Sequence, residues 1–442
     1  MTARGLKARR EAQGRSCAKP RGRRRDEEEE EGEATVRHYL HVGLLLAAGV
    51  ALVLVSTASG HSPSTPATEQ QQGGSTAGMA MQEARAEALK TKGKKAYYTR
   101  TFDLSGIPAY KPQQRVSGTL RMWGSNYPAD GMLAGYWEEA FRKFHPEIAF
   151  DFRLKATSGT IPGLVSGQSD LGPSVKITFP NLQFYQRYLN ADPFEIVYAT
   201  GSYDVTGWSP GYGIVVHREN PLARITLEQL DGIFGAERLG GWVGTDWHPE
   251  FARGPERNIR SWGQLGLTGE WADKPIIPYG LNLRYHQATV ISDRVLKGSD
   301  KWNERLRIYA NYVTPDGRLS RGLNEDLLKD KYGIAYIAAP TVTMNFAAQE
   351  QVSPRLKILP LAETAAGPYV EYTIETLQNR TYPLFDEVYF YTHALPGKGL
   401  DSKVREFLRF VLSREGQELI MKDGKYLPLT AKVAREQLAK LD

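Results

Sequence analysis

From about residue 117 onward the apolar positions alternate between period two and period 3.6, the pattern of short strands interleaved with amphipathic helices. Thr119 to Trp123 reads as a strand and the GSNYPADG stretch after it as a turn. Met132 to Phe144 places Leu133, Tyr136, Trp137, Ala140, Phe141 and Phe144 on one helical face. His145-Pro146 stops that helix, because a proline ring disfavours helical geometry in the residue before it. Ile148 to Leu154 returns as a strand, Ala156 to Thr160 is a polar turn, and Pro162 to Gly167 is a short helix with Pro near its start. Asp170 to Ser174 closes the unit. Strand, glycine turn and helix thus occur twice in succession, and each loop lies between the carboxyl end of a strand and the amino end of a helix. Free N–H groups and the helix dipole gather anions there, and ligands of open α/β sheets occupy that edge.

The same reading continues to the end of the chain. Asn181 to Asn190 is helical, and Phe194 to Thr200 and Gly213 to His217 are strands. Thr226 caps a helix running to Phe234. A helix over Tyr285 to Gly298 and a strand over Gly333 to Ile337 follow. Glu387 to Thr392 is a strand, and the helices Lys403 to Leu412 and Glu415 to Met421 turn Val404, Phe407, Leu408 and Val411 inward. Alternating strands and helices predict an α/β protein, and 442 residues give room for two lobes.

Before residue 117 the pattern is absent. Residues 1–37 carry 11 Lys/Arg against 8 Asp/Glu, in a basic stretch ending at Arg25 and an acidic run over Asp26 to Glu31, and read as a disordered cytoplasmic segment. Residues 38–60 contain an apolar run, Val42 to Val55, of 14 residues. Its length suits a signal peptide better than a spanning helix, which needs about 20. Both a cleaved signal and an uncleaved anchor export the body, because the basic flank stays inside. Residues 61–116 begin Ser/Thr/Pro/Gln/Gly-rich and read as a linker. The body is therefore expected to be periplasmic or at the cell surface, with membrane contact only through residues 38–60.

Composition narrows the chemistry. Of the net charge of +6, half belongs to residues 1–37, so the body carries no nucleic-acid footprint. The single cysteine, Cys17, excludes an internal disulfide and a thiolate metal cluster. His145, His217, His248, His286 and His393 lack the spacing of a metal motif, and no metal or cofactor is expected. Gly207-Trp208-Ser209-Pro210-Gly211 matches a hydrolase nucleophile elbow, yet Pro210 has no N–H to offer an oxyanion and a strand follows where a helix is required. No catalytic residue is assigned.

The binding chemistry is better founded. Ser125, Asn126 and Tyr127 in the first loop, Thr157, Ser158, Gly159 and Thr160 in the second, and Ser174 in the third bring hydroxyls, amides and N–H groups to one edge. A tetrahedral oxyanion needs many neutral donors of this kind.

These loops also carry a family resemblance. Gly124-Ser125 before an aromatic-rich helix, the turn Thr157-Ser158-Gly159, and Asp170-Leu171-Gly172-Pro173-Ser174 resemble, in order and spacing, the start of the phosphate-binding proteins of bacterial ABC importers. The resemblance resumes at Gly213 to Gly235, Ser261 to Trp271, Lys331 to Ile337, Thr381 to Thr392 and Phe410 to Leu429. It implies a two-lobed type II periplasmic binding protein fold, each lobe a mixed sheet flanked by helices, with two hinge strands. Lobe one would comprise 117–215 plus 386–442 and lobe two 216–385. It implies a small phosphate-like oxyanion as ligand and transporter membrane subunits as partners. A membrane-tethered anion sensor or scaffold, and a hydrolase or phosphatase, are the alternatives.

Two departures bear on the ligand. Where the family continues its third motif with an Asp that accepts a hydrogen bond from protonated phosphate, this chain has Val175. Where the second lobe contributes an Arg and then Ser-Gly-Thr, this chain has Leu281 and Tyr285-His286-Gln287. Arg284 either supplies the missing cation or is a surface arginine.

Overall fold

The computed structural model describes residues 100–203, 209, 211–281, 283, 286–309, 322–338, 355–394, 397 and 399–442. All belong to the compact unit Gly73–Asp442. The expectations for residues 1–37, 38–60 and 61–99 lie outside the described residues.

In chain order, β1 is Gly118–Gly124, α1 Tyr127–Asp130, α2 Leu133–Phe144, β2 Ile148–Leu154, α3 Thr160–Val165, β3 Leu171–Ser174, α4 Phe179–Leu189 and β4 Phe194–Thr200. Then come β5 Tyr212–His217, β6 Ile225–Thr226, α5 Leu227–Phe234, β7 Gly241–Val243, β8 Asp246–His248, β9 Ile277–Leu281 and α6 His286–Arg294. β10 is Arg307–Tyr309, α7 Gly322–Lys329, β11 Gly333–Ala338, β12 Leu356–Ile358, β13 Leu361–Ala362 and α8 Ile374–Gln378. β14 (Glu387–Thr392), α9 (Ser402–Leu412), α10 (Arg414–Asp423) and α11 (Ala431–Ala439) complete the chain.

Two five-stranded mixed sheets organise these elements. The first has the order β2-β1-β3-β14-β4, with β1, β2 and β3 parallel and β14 antiparallel to both β3 and β4. The second has the order β10-β9-β11-β5-β12, with β9, β10 and β11 parallel and β5 antiparallel to β11 and β12. The expected α/β architecture of two sheets flanked by helices is what the chain adopts. In lobe one, Trp137 of α2 lies edge-on to Tyr198 at 5.4 Å between ring centres, with Phe390 at 5.7 Å and Phe407 at 6.1 Å. Helix α2 is thereby seated on the sheet through the face that its spacing predicted, and offset or edge-on aromatic pairs add to the stabilisation from burial.

Two segments cross between the sheets side by side. Gly201 N–H donates to Asp386 O at 2.9 Å and Tyr212 N–H to Leu384 O at 2.8 Å. The first crossing is complete before Tyr212, because β5 is already paired with β11 and β12. It therefore precedes the Gly213–His217 strand at which the sequence placed it.

The segment before β1 also differs from its expectation as a linker. Phe102, Leu104, Ile107, Tyr110 and Val116 are buried, and the Tyr110 hydroxyl donates to Glu406 at 2.8 Å and contacts His145 Nε2 at 2.8 Å. Arg414 N–H donates to Pro108 O at 2.9 Å and its guanidinium to Ser105 O at 3.1 Å. Residues 102–116 form an extended strap on lobe one. Their apolar residues follow neither period, so the pattern carried no signal of it. Among the described residues no helix is long and apolar enough to cross a membrane.

Candidate functional site

The first three strands of lobe one end side by side, and glycine makes this possible. Gly124 has φ +155°, and a Cβ there would stand 2.2 Å from Pro173 O and 2.7 Å from Thr160 Oγ1. A Cβ at Gly172 would stand 2.6 Å from Thr160 Cγ2 and 2.8 Å from Trp123 O. No larger residue lets the ends of β1 and β3 and the start of α3 approach this closely. The Pro173 carbonyl then ties the three loops, accepting from Ser125 N–H at 2.7 Å and from the Thr160 hydroxyl at 3.1 Å.

The donors predicted from sequence fall into two groups. Ser125 and Ser174 are buried at the ends of β1 and β3, and the single turn Thr157–Gly159 packs against both strands. Ser158 is exposed, and Thr157 and Gly159 are half-buried. Thr160, by contrast, is wholly buried, and its hydroxyl is committed to Pro173 O while its N–H bonds Thr157 O. It is a fastener of the cradle. Asn126 donates its side-chain amide to Asp130, and Tyr127 N–H reaches Ser125 Oγ at 3.3 Å. Those two bonds fold the first loop back on itself and hold the Ser125 hydroxyl in place. Gly159 N–H bonds Ala156 O at 3.0 Å. Ser125, Thr157, Ser158 and Ser174 thus lie at the edge of the sheet where β1 and β3 end.

Val175 is 5% exposed, so the position after Ser174 offers neither an acceptor nor a charge. The next residue, Lys176, is held by Glu195 at 2.8 Å and lies 5.3 Å from the centre of the Tyr389 ring.

In lobe two, Arg284 and Tyr285 lie outside the described residues. His286 opens α6, and its buried Nε2, without a hydrogen bond among the described residues, lies 3.8 Å from Asp386 Oδ2 at the head of β14. The residue starts a helix and faces the hinge. Asp386 accepts from Glu387 N–H at 2.9 Å and from the Tyr212 hydroxyl at 3.4 Å. Burial pushes its carboxyl up to about 7 and pulls the His286 imidazole down to about 4. The imidazole and the carboxyl thus face each other across 3.8 Å, each favoured in its neutral form by burial. Nothing in the sequence pointed to Asp386, because it and His286 are a hundred residues apart and meet only where the chain crosses between lobes.

The Ser209 hydroxyl of the elbow-like motif is buried, and among the described residues it has no hydrogen-bond partner and no adjoining base. Among the described residues no group of three or more His, Cys, Asp or Glu is placed to hold a metal ion.

The chain is 29% identical over 337 residues to the phosphate-binding protein PstS of Pseudomonas aeruginosa, covering 76% of this chain and 90% of that protein. The resemblance to phosphate-binding proteins is thus shown in sequence. Among solved structures, PstS from Borrelia burgdorferi is 17% identical with a TM-score of 0.42, covering 71% of this chain and all of that one. A possible phosphate binding protein from Planctomyces limnophilus is 19% identical with a TM-score of 0.40, covering 74% of this chain and 99% of that one. No family model matches the chain.

Proposed function

We propose that this protein is an exported solute-binding protein that captures phosphate or a related small oxyanion between its lobes and delivers it to the membrane subunits of an ABC importer. The observation that carries the reading is the cradle of lobe one, where Gly124, Gly172 and the Pro173 carbonyl hold the loops bearing Ser125, Thr157, Ser158 and Ser174 against one another. The similarity to a PstS over three-quarters of the chain supports it. Neutral donors bind an oxyanion without a covalent step, so no catalytic residue is required. Export rests on the apolar run of residues 38–60 behind its basic flank. Arg284, four residues before Ala288 of α6, is the cation we assign to the second lobe's side of the ligand.

Isothermal titration of the purified protein with phosphate, sulfate, arsenate and molybdate tests this reading. Saturable binding of at least one oxyanion, weakened by Ser158→Ala, is expected. Failure of all four to bind or to raise the unfolding temperature overturns it, since ligand at a hundred times its dissociation constant adds about 2.7 kcal/mol of stability.

A further inference from the structure

The hinge is not the only place where the lobes touch. Strands β7 and β8 form a hairpin of lobe two, with Trp242 paired to Trp247 across it and Gly244-Thr245 at its turn. The hairpin is fixed to its own lobe. Trp242 N–H donates to Lys297 O at 2.9 Å, the Trp242 and Trp247 rings meet at 5.0 Å, and a Cβ at Gly298 would stand 2.2 Å from Trp242 O. From that base it reaches lobe one. The Trp242 ring lies 5.3 Å from the Phe179 ring, and the Thr245 hydroxyl accepts from Gln186 Nε2 at 3.0 Å. Phe179 and Gln186 are seven residues apart on α4 and so share a face. Asp192 holds the same Gln186 amide at 2.7 Å, which aims it.

Two lobes joined by two crossing segments open and close about those segments. A contact between α4 and a hairpin anchored on the other lobe adds a third attachment outside the hinge. None of its four residues belongs to the anion cradle. We propose that the β7–β8 hairpin is a latch that holds the two lobes together without help from the ligand, and so sets how slowly a captured ligand leaves. Contacts that favour the shut form before binding raise affinity by populating the competent state, and act on release because the ligand escapes only when the lobes part. The proposal rests on the ligand-binding reading for its effect on release and is independent of it for its effect on lobe separation.

Both effects are measurable on the full chain. Spin labels at Tyr188→Cys and Val243→Cys, in a Cys17→Ser background, flank the contact at positions 67% and 56% exposed. In ligand-free protein the label distance is expected to be single and short, and to broaden to longer values when Trp242→Ala is added. Release of inorganic phosphate, followed by stopped flow, should quicken about tenfold in Trp242→Ala and about fivefold in Thr245→Val or Gln186→Leu. The double variant Thr245→Val/Gln186→Leu should release no faster than either single one. Leu239→Ser, 87% exposed on the same lobe, should change nothing. Because Trp242 also packs on Trp247, the Thr245 and Gln186 variants guard against a purely local disruption. An unchanged label distance in Trp242→Ala overturns the latch, as does additivity of the two polar variants. If phosphate binds neither wild type nor variants, the ligand reading fails and the label distances alone decide the latch.

Discussion

Lobe one and lobe two meet the same demand in different ways. Lobe one presents a cradle whose parts lie within 57 residues, Gly118 to Ser174, locked by two glycines and one carbonyl. Among the described residues lobe two presents no such run. At the positions where the resemblance implies an Arg and a hydroxyl-bearing turn it has Leu281 and Tyr285-His286-Gln287, and the His286 imidazole lies buried against the buried Asp386 carboxyl across the hinge. A lobe that gathers neutral donors can be built from local loops, whereas a lobe that closes over the ligand must also manage charge at the hinge.

Filling the cradle should do the greatest damage to binding. Gly124→Ala puts a methyl group 2.2 Å from Pro173 O at a φ of +155°. Strain of this kind costs roughly 1–3 kcal/mol and should abolish anion binding; a variant that melts and binds like wild type places the site away from these loops.

The hinge pair can be separated by pH. Asp386 has a folded pKa of about 7, above its unfolded value, so its contribution to stability is present at low pH and is lost as pH rises toward 7. His286 has a folded pKa of about 4, below its unfolded value, so its contribution runs the other way: stability rises with pH from about 4 to 6.5. In the wild type the two slopes offset over that window. Asp386→Asn should therefore gain stability with rising pH, and His286→Gln should lose it, each by about 1.4 kcal/mol per pH unit. Thermal melts from pH 4 to 8 read this directly, and parallel curves for both variants would falsify the opposed titration.

On the cradle side, Ser158→Ala removes one hydrogen bond to a charged ligand and should weaken binding by about 1.5–3 kcal/mol. An unaltered affinity moves the anion off the second loop. The smallest effect concerns selectivity. With Val175 in place of an acceptor, phosphate and sulfate should compete within about tenfold, or about 1.4 kcal/mol. Val175→Asp should repel sulfate far more than phosphate, because an unpaired buried acceptor penalises a ligand without a proton to give. Tight phosphate binding by the wild type with no sulfate binding would mean that another acceptor discriminates.

The elements of lobe one and the order of its donors were legible from local spacing alone. Ile148–Leu154 and Phe194–Thr200 are strands at the predicted bounds, and α2 starts one residue from its expected beginning. Period and turn chemistry are local properties, and nearest-neighbour sterics enforce them. Spacing also marked Thr160 as a donor, but that its hydroxyl faces Pro173 follows from strand order, which brings residues 13 apart together. The strap of residues 102–116, the β7–β8 hairpin with its reach to α4, and the meeting of His286 with Asp386 left no mark in the pattern. Each depends on contacts between segments far apart in the chain, which hydrophobic spacing does not encode and which only the closure of two sheets about a shared hinge brings into being.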